Sequence, residues 1–97
     1  MPQLKLRYTI RAKTDLSEIF SYLNKRDKQA AKRVVNTIER SAKILATHPL
    51  TGRQTDFVDI RLKPIPNYPY LLFYQATGND LIILRVLHSA RDWPEIL

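Results

Sequence analysis

The stretch Thr77-Gly78-Asn79-Asp80-Leu81-Ile82-Ile83-Leu84-Arg85-Val86-Leu87-His88 decides the fold. Its first four residues signal a hairpin turn, since Gly and Asn tolerate positive φ. The almost continuous apolar run that follows reads as a strand buried on both faces and central in its sheet. Alternation along such a strand puts Arg85 on the face of Ile83 and Leu87, and His88 on the other face with Val86 and Leu84. Upstream of the turn, the aromatic-rich segment from Tyr70 to Gln75 is the other arm of the hairpin. A third strand candidate runs from Ile60 to Ile65. There Pro64, with Pro66 just beyond, removes ladder donors and predicts an edge, a bulge or an early end.

Further back the pattern turns helical. Ala12, Leu16, Ile19, Phe20 and Leu23 recur at helical spacing, with Thr9 as a cap and Asn24-Lys25-Arg26-Asp27 as a short polar turn. Ala31, Val34, Val35, Ile38, Ala42 and Leu45 form a second stripe, capped by Asp27 and stopped at Thr47-His48-Pro49. At ~1.5 Å per residue this second helix reaches roughly 30 Å. The two pack as an antiparallel hairpin. Leu50-Thr51-Gly52 and the polar Arg53 to Asp56 read as a loop, and Leu4 to Tyr8 alternates as a half-exposed first strand. The order β-α-α-β-β-β implies an α+β fold: an antiparallel sheet with an N-terminal helical hairpin packed on one face, forming a single domain over residues 1–97.

The 97-residue chain carries 16 Lys+Arg against 9 Asp+Glu, a net charge of +7. The excess lies in the first half: residues 1–48 hold eleven basic and four acidic side chains, whereas residues 49–97 hold five of each. A basic surface speeds encounter with an acidic partner without specifying nucleic acid, peptide or membrane. The second helix places Lys32, Arg33, Arg40 and Lys43 away from its apolar stripe, as a basic outer face that is either solvated or a binding surface. With 44% hydrophobic residues the chain is expected to fold rather than form a basic tail. It has no Cys, which removes disulfides, thiolate metal sites and cysteine nucleophiles and suits a reducing compartment. The longest apolar run, Leu81 to Leu84, is too short to span a membrane, and the N-terminus lacks the apolar stretch of a signal peptide, so a cytoplasmic location is expected.

Most chemistry is excluded by residue type. Gly52 and Gly78 are the only glycines, too few for a phosphate loop or dinucleotide fingerprint, so no nucleotide cofactor is expected. His48 and His88 do not stand at metal-ligand spacing with another strong ligand, so no metal is expected either. The carboxylates are scattered beside Lys or Arg, which disfavours an acid-base pair sharing a cleft. The polar cluster at the end of the central strand is the region left to weigh. Arg85 reads first as a sheet arginine paired with a carboxylate such as Asp92, and second as functional. His88 is a packed strand-end residue or a proton-transfer group. Trp93, before Pro94, is a core or rim anchor. Arg91 is the candidate for partner contact, because its guanidinium leaves the sheet in an irregular segment. Tyr68, Tyr70 and Tyr74 either pack the sheet or form a stacking platform for bases.

Ala12, Asp15, Leu16 and Ile19 in the helical hairpin, then His48-Pro49-Leu50-Thr51-Gly52-Arg53, then Tyr68-Pro69-Tyr70-Leu71-Leu72-Phe73-Tyr74, then Ile83 through Trp93, together resemble the ParE branch of the RelE/ParE toxin superfamily. The match covers nearly the whole chain. It implies a toxin of a type II toxin-antitoxin pair, held inactive by a ParD-like or RelB-like antitoxin whose acidic C-terminal segment wraps its surface. A +7 protein suits such a segment physically. The resemblance further implies DNA gyrase as target, operator DNA reached only through the antitoxin, and no membrane partner. Ribosome-dependent ribonucleases of the superfamily resemble one another in basic side chains on the sheet, an arginine just after the strand tyrosine and often a tyrosine near the C-terminus. This sequence has Pro69 after Tyr68 and Leu97 about where the late tyrosine falls, leaving Arg91 as the match. The resemblance therefore favours a non-catalytic gyrase inhibitor, with an mRNA interferase using His88 and Arg91 as the rival and a harmless basic module docking nucleic acid as a third class. Candidate target or partner contacts are Arg61, Tyr70, Arg85, His88, Arg91 and Trp93. Arg91→Ala is expected to affect activity with folding retained, and Trp93→Ala to affect stability.

Overall fold

The first strand, β1 (Lys5–Tyr8), passes into α1 (Ile10–Asn24) through the single residue Thr9. The Thr9 side chain accepts from the Ala12 N–H at 3.0 Å, which satisfies an orphan donor of the first helical turn. The same hydroxyl donates to the Leu84 carbonyl at 2.8 Å, so one residue caps a helix and fastens it to the sheet. Asp27 caps α2 (Lys28–Thr47) by accepting from the Gln29 and Ala30 N–H groups. Then follow β2 (Arg53–Gln54), β3 (Arg61–Pro64), β4 (Tyr70–Thr77) and β5 (Asp80–His88). The computed structural model describes residues 3–90.

The strands form one sheet in the order β1-β5-β4-β3-β2. The expected α+β layering holds, with two differences. β1 pairs parallel with β5, so the sheet is mixed rather than wholly antiparallel. The helical hairpin carries the chain back across the sheet before the meander begins, so first and last strands run the same way. The segment read as a loop also contributes the two-residue β2, paired to Leu62 and Arg61 of β3. Pro64 ends β3 early, at a position opposite Leu71 and beyond the reach of β2, where its missing N–H breaks no ladder. Asn67, at φ 68°, turns the chain from β3 to β4, and Gly78, at φ 57°, turns it from β4 to β5.

A bulge in β5 corrects the alternation expected there. Tyr74 pairs with Ile83 and Phe73 with Arg85, which leaves Leu84 as an inserted residue. One extra residue reverses the phase of every side chain beyond it. Leu81, Ile83 and Val86 therefore share the main core with Ala12, Val34, Ile38, Leu45, Leu72 and Tyr74, beneath the helices. Leu87, expected beside Ile83, instead joins Leu62 and Phe73 in a second cluster on the opposite face.

Candidate functional site

β1 stops at Tyr8, so β5 beyond Ile83 loses its parallel neighbour and exposes an edge. The start of α1 fills it. The Thr9 N–H donates to the Ile83 carbonyl at 3.0 Å, and Asp15, further along α1, accepts from the Val86 N–H at 2.9 Å. Asp15 also receives Arg85 in a two-pronged ion pair, Nε to Oδ2 at 2.8 Å and Nη2 to Oδ1 at 2.9 Å. Both residues are only 8% exposed. The Asp15 hydrogen bond raises the Arg85 pKa against the opposing effect of burial, so the guanidinium stays charged. Arg85 thus takes the carboxylate-paired role, with Asp15 as the carboxylate; Asp92 lies outside the described residues. Asp15 stands on the apolar stripe of α1, between Ala12 and Ile19, and a charge in that position is the sequence signal for a buried partner.

Beside this pair lies an open groove of about 560 Å³ between the helical hairpin and the end of the β4–β5 hairpin. Its walls include Ile19, Tyr22, Leu23, Tyr68, Tyr70 and Val86, with Asp15, Glu18 and His88 as its polar members. The groove exists because α1 covers the sheet incompletely: Ala12 and Asp15 are its only buried residues, and Leu16, Ile19 and Leu23 are half-buried. Tyr22 is 55% exposed at the rim, with the Arg26 guanidinium 5.0 Å from its ring centre. His88 meets Tyr70 edge to face, ring centres 5.5 Å apart. Its Nδ1 accepts from the Ala90 N–H at 3.1 Å, which in the neutral ring leaves the proton on Nε2. Burial raises the pKa of Tyr70, assisted by Tyr22.

Tyr74 explains the segment from His48 to Arg53. Its hydroxyl donates to the Pro49 carbonyl at 2.7 Å and accepts from the Gly52 N–H at 2.9 Å, in a fully buried position. Burial raises its pKa, opposed by the Gly52 hydrogen bond and by Arg61. A Cβ at position 52 would fall on the Tyr74 ring, 2.6 Å from Cε1, so the loop requires glycine there. Arg61 donates to the Gly52 carbonyl at 2.8 Å and lines a separate hollow of about 350 Å³ with Leu50, Phe57, Val58 and Ile60.

The structure therefore brings Tyr70 and His88 together in the groove, sets Arg85 behind it on Asp15, and places Arg61 at the other hollow. Lys32, Arg33, Arg40 and Lys43 are all exposed on α2. Arg91 and Trp93 lie outside the described residues. Of the three clustered tyrosines, Tyr68 and Tyr70 line the groove and Tyr74 is buried in the core, while Tyr22 and Glu18 are groove residues that sequence reasoning did not assign. No group of three His, Cys, Asp or Glu side chains gathers among the described residues, and no helix there is long and apolar enough to cross a membrane.

A helical hairpin over a mixed sheet with an apolar groove beneath its first helix defines a small basic α+β protein of the RelE/ParE-like kind. The sequence model of the ParE toxin of type II toxin-antitoxin systems matches residues 6–93, and the chain belongs to this family. It is 35% identical over 97 residues to Y4kP of Sinorhizobium fredii, covering all of both chains. It is 31% identical over 84 residues to toxin RelE2 of Caulobacter vibrioides, covering 87% of this chain and 93% of that one. Among solved structures, a chain of the chromosomal ParDE system from P. aeruginosa superposes with a TM-score of 0.80 at 21% identity, covering 89% of this chain and 96% of that one. A chain of the E. coli DinJ-YafQ toxin-antitoxin complex gives 0.58 at 18% identity, covering 92% and 96%. These structural likenesses concern the fold.

Proposed function

We propose that this type II toxin acts by binding DNA gyrase and disturbing strand passage, and that an antitoxin holds it inactive. The observation that carries this reading is the internal engagement of the polar groups around the groove. Breaking an RNA chain needs a base, a phosphate stabiliser and an acid in one cleft. Here both Asp15 oxygens accept from Arg85, the Nδ1 of His88 is occupied by Ala90, and Arg61 is directed to Gly52 in a different hollow. The departures at Pro69 and Leu97 point the same way. Arg91 and Trp93 are proposed as contacts to the target.

The antitoxin is proposed to lay the apolar face of an acidic amphipathic segment into the groove, with the +7 charge of the toxin drawing it in. The test is a supercoiling assay with purified toxin at saturating dose and no antitoxin present. Inhibition of gyrase supports the reading; unaffected supercoiling overturns it. Primer extension on translated messages after induction is the second arm, in which site-specific cuts would establish the interferase mechanism through His88 and Arg91 instead.

A further inference from the structure

We infer that the solvent face of α2 is a binding surface for the phosphate backbone of duplex DNA, seated across a major groove. This inference stands apart from the choice of toxic target, and it departs from the expectation that DNA is reached only through the antitoxin.

α2 carries five cations, Lys28, Lys32, Arg33, Arg40 and Lys43, against one carboxylate, Glu39. All five cations are exposed. The ion pairs among the described residues are Arg7–Asp80 and Arg85–Asp15, so the α2 cations have no acidic partner there. At ~100° per residue, Lys32 and Lys43 fall within about 20° of one line along the helix, and Arg33 and Arg40 within about 20° of a second, roughly 80° round. Between the two rows stand the exposed amides Gln29 and Asn36. A helix with its side chains is about 10–12 Å across, and the B-form major groove is about 12 Å wide. The two rows thus reach toward the phosphate strands on either side of the groove, while the amides face the base edges.

The composition of the face separates this partner from an acidic peptide. Protein interfaces are built on apolar anchors and are depleted in lysine. Between the basic rows α2 presents polar side chains, Gln29, Asn36 and Thr47, with Ile44 its one exposed large apolar residue, outside the rows, and a larger apolar docking surface is the groove under α1. Duplex RNA is disfavoured by shape, because the A-form major groove is too deep and narrow to admit a helix.

The test uses the full chain and fluorescence anisotropy with a short labelled duplex DNA across a salt series, beside an RNA duplex of the same sequence and poly-glutamate. Four phosphate contacts give a slope of log K against log salt of about −3.6, at about −0.9 per contact. K32Q/K43Q and R33Q/R40Q are each expected to reduce that slope by about 1.8. Glutamine keeps helix propensity at these exposed sites, and circular dichroism checks the fold of each variant. DNA binding unchanged in either folded variant overturns the inference. So does equal affinity for the RNA duplex, or poly-glutamate binding as tightly as DNA. Supercoiling is scored separately, so failure here and failure of the gyrase reading are distinguishable.

Discussion

Asp15 of α1 and Arg85 of β5, separated by 70 positions in the chain, meet in a buried two-pronged ion pair, and Oδ2 of Asp15 also accepts the Val86 N–H. The contact closes the strand edge that β1 leaves open. Asp15→Ala removes the carboxylate from a buried arginine and the acceptor from a buried backbone donor, and breaking such a pair costs about 3–5 kcal/mol. Urea unfolding should show the midpoint falling with the slope unchanged. Adding Arg85→Met should recover part of the loss, because two well-packed apolar groups replace an ion pair at little net cost. Non-additivity in this double-mutant cycle measures the pair.

Gly52 and Tyr74 make a second prediction. Tyr74→Phe leaves the Gly52 N–H and the Pro49 carbonyl without their shared partner, which costs about 1–3 kcal/mol in a buried position. Gly52→Ala drives a methyl into the phenol ring and is expected to cost a similar 1–3 kcal/mol through overpacking. Thermal unfolding checks both. A folded Gly52→Ala protein with wild-type stability would mean that the Tyr74 clamp does not hold this loop.

The tyrosines give the fold an alkaline limit. Burial pushes the Tyr8 phenol up from 10.0 to about 12, with Glu39 adding to the effect. Tyr70 and Tyr74 are also raised, mainly by burial. A raised phenol pKa means that the fold favours the neutral form. The corresponding stability is fully present below pH ~10 and is lost as pH rises through the folded values, for Tyr8 up to about 12. In an alkaline titration of tyrosinate absorbance, Tyr8, Tyr70 and Tyr74 should ionise late, together with loss of helical circular dichroism. Ionisation of all five tyrosines near pH 10.0, with the helices intact, would contradict these environments.

Local chemistry made most of this architecture legible. Thr9 and Asp27 mark the helix starts because each supplies an acceptor to orphan N–H groups, and Gly78 marks the hairpin because it takes positive φ. The parallel pairing of β1 was not legible: alternation tells which face a strand buries, and is silent on which distant strand it joins and in what direction. The bulge at Leu84 is invisible for a related reason, since an apolar run offers no phase marker to show where one residue is inserted. For the site, the arginine pairing was legible as a requirement of burial, but its partner lay on a helix far off in sequence. The groove arises where α1 fails to cover the sheet, a property of packing between elements rather than of any one stretch.

Tyr22 tests whether the groove seats the antitoxin. The ring is 55% exposed, and its one described aromatic contact is with the Arg26 guanidinium at 5.0 Å, so it does little for the folded monomer. An exposed cation–π contact is worth about 0.5–1 kcal/mol, and Tyr22→Ala should lower stability by no more than that. Tyrosine is one of the residue types enriched among binding anchors, and truncating an anchor costs more than about 1 kcal/mol of binding. Titration with the cognate antitoxin should then show affinity reduced at least fivefold, about 1 kcal/mol at a factor of ten per 1.4 kcal/mol. Loss of affinity with retained stability places the partner on this groove. Unchanged affinity in a folded Tyr22→Ala protein would mean that the antitoxin is not seated on this groove.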